Sequence, residues 1–308
     1  MKPFHILALA GAVLGAALPA LPAQAAPVPA DPVQRCRDLI PMIAKATPEA
    51  PTAGTVTPVG EASCRYTELK LVMDQYRGWV IGTLTIDRID FERFYTDRPP
   101  LTLAVRAEDI RFEAPALPPP RAYQMKLLHK PIEVTFDYDY DEPAGLLTLR
   151  DFTFRGDYIG HLSVSAAMRG LDMDRIDPRN PLRDGALAEL SLQSLTVDFD
   201  NQGMFEGYAL LPALYALPNG ETDPEGAVAA AKAQAMAGLA VLTAAGVPQE
   251  SVDAIGRFIQ AMPQPRGPFR LSIAPQPPLA LAELETARPD DPAKLMALVK
   301  RLNLTASY

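Results

Sequence analysis

The stretch 136-FDYDYDEPAGLLTLRDFTF-154 alternates aromatic rings with Asp137, Asp139 and Asp141, turns through Pro143-Ala144-Gly145, and continues into an apolar run. Alternation with period two is the pattern of a strand with one wet and one dry face. Extended back to Ile132, it sets Ile132, Val134, Phe136, Tyr138 and Tyr140 against Glu133, Thr135, Asp137, Asp139 and Asp141. The Pro-Ala-Gly turn then predicts an antiparallel return strand. As a calcium loop the segment fails at its sixth place, Glu142 instead of glycine, and its twelfth, Thr148 instead of glutamate. The three aspartates are expected to form a solvated strand face.

The return strand belongs to a repeat. LTIDRIDF at 84–91, LTLRDFTF at 147–154 and LSLQSLTV at 190–197 share the form Leu-(Ser/Thr)-(Ile/Leu)-x-x-apolar-(Asp/Thr)-(Phe/Val), and LAVRAEDIRF at 103–112 is a looser copy with two extra residues. A short echo, LSI at 271–273, follows later. Within each copy the apolar alternation changes phase: Leu147 and Leu149 are odd, Phe152 and Phe154 even. One residue of slip moves a side chain to the opposite face, so each strand must contain a bulge or kink, or be covered on both faces. Two copies continue into similar segments, with turns expected at Gly156-Asp157 and at Asn201-Gln202-Gly203 before a further strand. A calcium reading of Asp198, Asp200 and Gly203 meets Ala209 at the twelfth place, and LDMDRIDPRN at 171–180 reads as a linker.

Helical pattern is concentrated late. Asp223-Pro224-Glu225 is a strong start for an Ala-rich helix running to Ala245, with Val228, Ala231, Ala235, Leu239 and Leu242 on one face, and Gly246 stops it. A second helix follows Pro248, with Val252, Ile255, Phe258, Ile259 and Met262 at helical spacing. A final helix beginning at Asp290-Asp291-Pro292 carries Leu295, Leu298, Val299 and Leu302 inward. The expected fold is mainly β with α (α+β): an antiparallel meander of long bent strands in repeated hairpins, an inserted αα-hairpin and a C-terminal helix. The expected organisation is a signal peptide at 1–25, an N-terminal segment at 26–78, the β-repeat region at 79–223, the helical hairpin at 224–263 and a closing strand and helix at 264–308.

The recurring units LLTLRDFTFRGDYIGHLSVSAAMRGL at 146–171 and AELSLQSLTVDFDNQGMFEGYALL at 188–211 resemble the repeated strand pairs of AsmA-type and related bacterial envelope proteins. The resemblance covers roughly residues 80–215 and implies long bent sheets forming apolar grooves associated with lipid handling. It departs from that family in lacking an N-terminal membrane helix that stays in place, and it implies no catalytic residues.

Export is the firmest expectation. Lys2 supplies a positive start, Phe4 to Leu21 is mostly small and apolar, and Ala23-Gln24-Ala25 offers the small-x-small cleavage pattern. That implies a periplasmic protein with no transmembrane anchor after cleavage. The full chain balances 29 Lys and Arg against 37 Asp and Glu for a net charge of -8, a poor match to nucleic acid or to anionic headgroups held by charge alone. Cys36 and Cys64 are the whole thiol inventory and are expected to bond in an oxidising compartment.

Catalytic groups are sparse. After the leader, His129 and His161 are the histidines, and neither a G-x-S-x-G elbow, an S-x-x-K motif nor a phosphate-cradling glycine loop occurs. No cofactor or metal is expected. The expected role is non-enzymatic: an apolar ligand such as a lipid, or an envelope protein, held in a groove lined by Leu147, Leu149, Phe152, Phe154, Leu190, Leu192, Leu195, Val197, Val228 and Leu239. The alternative is a periplasmic hydrolase acting through a carboxylate pair on the meander.

Overall fold

The alternating segments form strands of 10 to 13 residues, about twice the usual length. The computed structural model describes residues 27–44, 51–74, 77–96, 98–113, 117–128, 130–176, 189–210, 223–286 and 292–308. The expected signal peptide, His129 and the end of the 171–180 linker lie outside these residues. The architecture is the expected one: mainly antiparallel β with several helices. The chain divides into two compact units, Met1–Gly156 with Leu171–Leu187, and Asp157–Gly170 with Ala188–Tyr308.

The first unit opens with α1 (Pro32–Ala44), then β1 (Thr55–Gly60), β2 (Ser63–Asp74), β3 (Arg77–Ile89), the short α2 (Phe91–Tyr95), β4 (Thr102–Glu113), α3 (Pro119–Leu128), β5 (Ile132–Asp141) and β6 (Leu146–Gly156). Its strands pair strictly in chain order, each antiparallel to the next. Cys36 and Cys64 are disulfide-bonded, with Cα atoms 5.5 Å apart, and fasten α1 to β2. Tyr66 donates its hydroxyl to the Cys36 carbonyl at 2.7 Å, and Tyr95 donates to Asp38 at 2.7 Å. Closing a loop of 28 residues, the disulfide stabilises the fold by about 3 to 4 kcal/mol on the chain-entropy account.

The second unit contains β7 (Gly160–Arg169), β8 (Ser191–Asn201), α4 (Pro224–Ala244), α5 (Gln249–Ala261), β9 (Pro268–Ile273), β10 (Leu279–Ala280), α6 (Leu281–Thr286), α7 (Pro292–Arg301) and β11 (Thr305–Ser307). Strand β8 pairs with β7 on one edge; on the other, β9 meets residues 195–200 and β10 meets Ser191 and Leu192. Helix α4 starts as its sequence requires, with Asp223 accepting from Gly226 N and Pro224 in the first turn. Ala245, Val247, Val252 and Val299 form a small core with Leu239, Leu242, Leu295 and Leu304 packed against it.

Three expectations are corrected. The chain turns over Asp157, Tyr158 and Ile159 between β6 and β7, three residues instead of two. Directly after Asn201 the described residues 202–210 form no returning strand: Phe205–Ala209 form a π-helical turn. Asn201 causes this, since its side-chain oxygen accepts from Gly203 N and Phe205 N at 3.3 and 2.8 Å and redirects the backbone into a helical start. On α4 the half-buried residues are Ala227, Val228, Lys232, Met236, Leu239, Val241 and Leu242, while Ala231 and Ala235 are exposed.

Candidate functional site

The phase change inside each repeat is resolved by an inserted residue. Across β5 and β6, Asp137 pairs with Asp151 and Tyr138 with Leu149, leaving Arg150 extra. Across β3 and β4, Ile86 pairs with Val105 and Arg88 with Ala104, leaving Asp87 extra. Across β7 and β8, Ala167 pairs with Ser194 and Met168 with Leu192, leaving Gln193 extra. Asp87, Arg150 and Gln193 all occupy the fourth place of the repeat. Each bulge turns the strand by one side-chain position, so apolar residues that alternate out of phase in sequence emerge on one face.

The strands are therefore one-sided, not apolar on both faces. Directly paired side chains share a face, and in the first unit this gives apolar rows across the strands. Tyr66, Leu84, Ala107, Val134 and Phe154 form one; Cys64, Ile86, Val105, Phe136 and Phe152 form another; Ile89, Leu103, Tyr138 and Leu149 form a third. Burial falls along each row. Cys64 and Tyr66 on β2 are 0% exposed and Leu84 and Ile86 on β3 are buried, whereas Leu147, Leu149, Phe152 and Phe154 on β6 are all half-buried. The β2 end is covered by α1, whose Leu39 is fully buried.

The opposite face of this unit is polar and cross-linked. Arg88 donates to Asp137 at 2.7 Å, and Arg150 pairs with Asp139 at 2.5 Å. Thr135 and Thr153 each donate to Asp151 at 2.6 Å. Ala104, between Arg88 and Asp137 in the register, has no side chain long enough to obstruct the guanidinium. Asp137 and Asp139 are thus half-buried and ion-paired instead of freely solvated; Asp141 is exposed, accepting from Ala144 N at the turn. A further kink crosses three strands where Glu68 and Asp109 adopt left-handed φ values of 47° and 54°. Between their strands, a Cβ on Gly82 would stand 2.6 Å from the Asp109 carboxylate, so the row closes only around glycine.

In the second unit the same logic makes three apolar rows of three. Leu162, Phe199 and Phe269 form the first, Val164, Val197 and Leu271 the second, and Ala166, Leu195 and Ile273 the third. Met168 and Leu192 extend the face past the bulge, and Leu279 of β10 pairs with Leu192. Phe258 of α5 covers one end, stacking on Phe269 with ring centroids 4.1 Å apart and meeting Phe199 edge-on at 6.2 Å. Leu190, Leu192, Leu195 and Val197 are half-buried, as are Leu162, Val164, Leu271 and Ile273. The reverse face carries His161, Ser163, Ser165, Asp198, Asp200 and Arg270, with Asp198 and Arg270 paired at 3.4 Å. Val228 and Leu239 are half-buried on α4, a helix with no fully buried residue.

Two polar clusters carried no recognisable sequence signal. Arg93 on α2 is buried, donates to the Pro99 carbonyl at 2.9 Å and pairs with Asp174 and, at 3.4 Å, Glu142. In the second unit the buried Asn201 donates to Glu206 at 2.8 Å and to the Pro265 carbonyl at 3.0 Å, and Arg266 pairs with Glu206 at 2.6 Å. Burial alone would raise the Glu206 carboxyl, but the hydrogen bonds from Arg266 and Asn201 outweigh it and hold the group below the usual carboxylate range.

No curated protein matches the chain. Residues 153–308, just over half of its length, match the model of a family described as "Uncharacterized protein", and the chain belongs to that family.

Proposed function

We propose that this is an exported, periplasmic, non-enzymatic protein that holds an apolar ligand or envelope partner against the dry face of its bent strands, in lipid handling or envelope assembly. The observation that carries the reading is the half-burial of contiguous apolar side chains: Val134, Phe136, Leu149 and Phe152 at the β5–β6 end of the rows in one unit, and the row Val164, Val197 and Leu271 in the other. Three bulges at one motif position gather these side chains onto single faces, and contiguous apolar surface of that kind marks interaction sites in soluble proteins. The leader-like start and the Cys36–Cys64 disulfide support export. The poverty of convergent catalytic groups supports binding over chemistry. Asp137 and Asp151, the best-placed pair for the hydrolase alternative, are directly opposed but engaged by Arg88, Thr135 and Thr153.

The test is to extract natively purified protein with organic solvent and identify what is released by mass spectrometry. A bound apolar compound is expected, along with uptake of fluorescent fatty acids or phospholipids that Val197→Asp weakens. Ligand-free protein that takes up neither probe would overturn the apolar-ligand reading. If a lipid is released but Val197→Asp binds like the parent, the ligand lies elsewhere.

A further inference from the structure

We propose that α3 is a docking face for the anionic headgroups of a phospholipid surface. Among the described residues its Tyr123 and Leu127 are the most exposed large apolar side chains, at 64% and 59%. A spacing of four residues places them one turn apart on the same side of the helix. An isolated exposed leucine is ordinary, but two large apolar groups projecting together from a short helix form a wedge that water solvates poorly.

The charge around the wedge is what selects its partner. From Leu117 to Ile132 the sequence contains Arg121, Lys126 and Lys130 and no acidic residue, in a chain whose net charge is -8. Arg121 is exposed. A local positive island on a negative protein orients the molecule towards an anionic surface, and repulsion of the rest discourages adhesion elsewhere. Tyrosine suits the boundary between headgroup and acyl chain, because its ring is apolar and its hydroxyl stays wet. Leucine beside it can enter the acyl layer while arginine and lysine remain among the phosphates. Size also favours lipid over protein. A helix of 10 residues, about 15 Å long and about 10 Å across, presents a face on the order of 150 Å², which matches a few headgroups and is well below the roughly 800 Å² per partner of a specific protein interface. The proposal is independent of whether the dry strand faces carry a ligand.

Flotation of the purified protein with vesicles tests it, using phosphatidylcholine alone and phosphatidylcholine with about one quarter phosphatidylglycerol. Binding is expected to the anionic vesicles and to fall as salt rises from about 0.05 to 0.5 M. The double variant Tyr123→Ala/Leu127→Ala and the single variant Arg121→Glu should each weaken binding by about tenfold. Because these side chains are exposed, melting temperature and circular dichroism should stay at parent values. Tyr123→Trp in a Trp79→Phe background should give blue-shifted emission on anionic vesicles. Equal binding to both vesicles, no binding to either, or variants that bind like the parent would overturn the proposal. So would competition by millimolar inorganic phosphate, which would indicate a single-anion site, or capture by polyglutamate without vesicle binding, which would indicate an acidic protein partner.

Discussion

A Cβ atom at Gly256 would stand 3.2 Å from Leu239 Cδ1, so α4 and α5 meet where α5 lacks a side chain. Lys232, the one cation of α4, reaches from the same seam to the Gln260 and Met262 carbonyls at 2.7 and 2.8 Å and closes the end of α5. Gly256→Ala should be nearly neutral, because about 1 kcal/mol of helix propensity offsets a contact that the flexible Leu239 can relieve. Gly256→Leu has no such escape and should cost about 2 to 3 kcal/mol in urea unfolding. Lys232→Met, which leaves two carbonyls without their donor, should cost about 1 to 2 kcal/mol.

The bulges can be tested by residue count. Arg150→Ala keeps the extra residue and removes only a half-exposed ion pair with Asp139, so its cost should be under about 1 kcal/mol. Deleting Arg150 takes the extra residue away. Leu149, Phe152 and Phe154 would then alternate in one phase opposite Tyr138, Phe136 and Val134, so the deletion should keep the dry face and cost little. Inserting one alanine between Asp151 and Phe152 would instead throw Phe152 and Phe154 onto the face of Asp137 and Thr135 and make unfolding at least about 3 kcal/mol easier. Equal melting temperatures for the deletion and the insertion would show that residue count does not set the face.

Tyrosine burial predicts sensitivity to alkali. Burial pushes the Tyr66 and Tyr138 hydroxyls well above their ordinary range, so the folded state favours the protonated phenol more than the unfolded state does. The resulting stability is complete below the unfolded value of about 10 and is lost as pH rises above it. Tyr66→Phe should cost about 1 kcal/mol at neutral pH, through the lost bond to the Cys36 carbonyl, and make the alkaline decline in melting temperature shallower.

Glu206 has the opposite sign. Its folded carboxyl lies below the usual range, so its contribution is present above the unfolded value of about 4.3 and is lost as pH falls through the folded one. Glu206→Gln should lower stability at pH 7 by about 1 to 2 kcal/mol and flatten the acid limb of the stability curve. An acid limb identical to the parent's would show that other carboxylates dominate it.

Much of the architecture was legible because period-two alternation and phase are properties of neighbouring residues. Ile132 to Asp141 declared a strand, and the switch from Leu149 to Phe152 declared that something had to give. Which of bulge or double cover was chosen depends on partner strands, and no residue in LTLRDFTF says so locally. The hairpin expected after Asn201 failed for a related reason. Asn-Gln-Gly is turn chemistry in sequence, but Asn201 uses its amide for Pro265 and Glu206, partners that only the folded unit supplies. Arg93 looked like one charge among many until Glu142 and Asp174, 49 and 81 residues away, closed on it.

The inserted residue at a fixed place gives the repeat something like a reading frame. A single-residue insertion elsewhere in such a strand puts everything beyond it out of frame and sends apolar groups into water. A complete copy enters in frame, and because it brings an outgoing and a returning strand it also preserves direction. Relatives that change length within this region should therefore do so in whole strand pairs, and the extent of dry surface becomes a quantity counted in copies instead of residues.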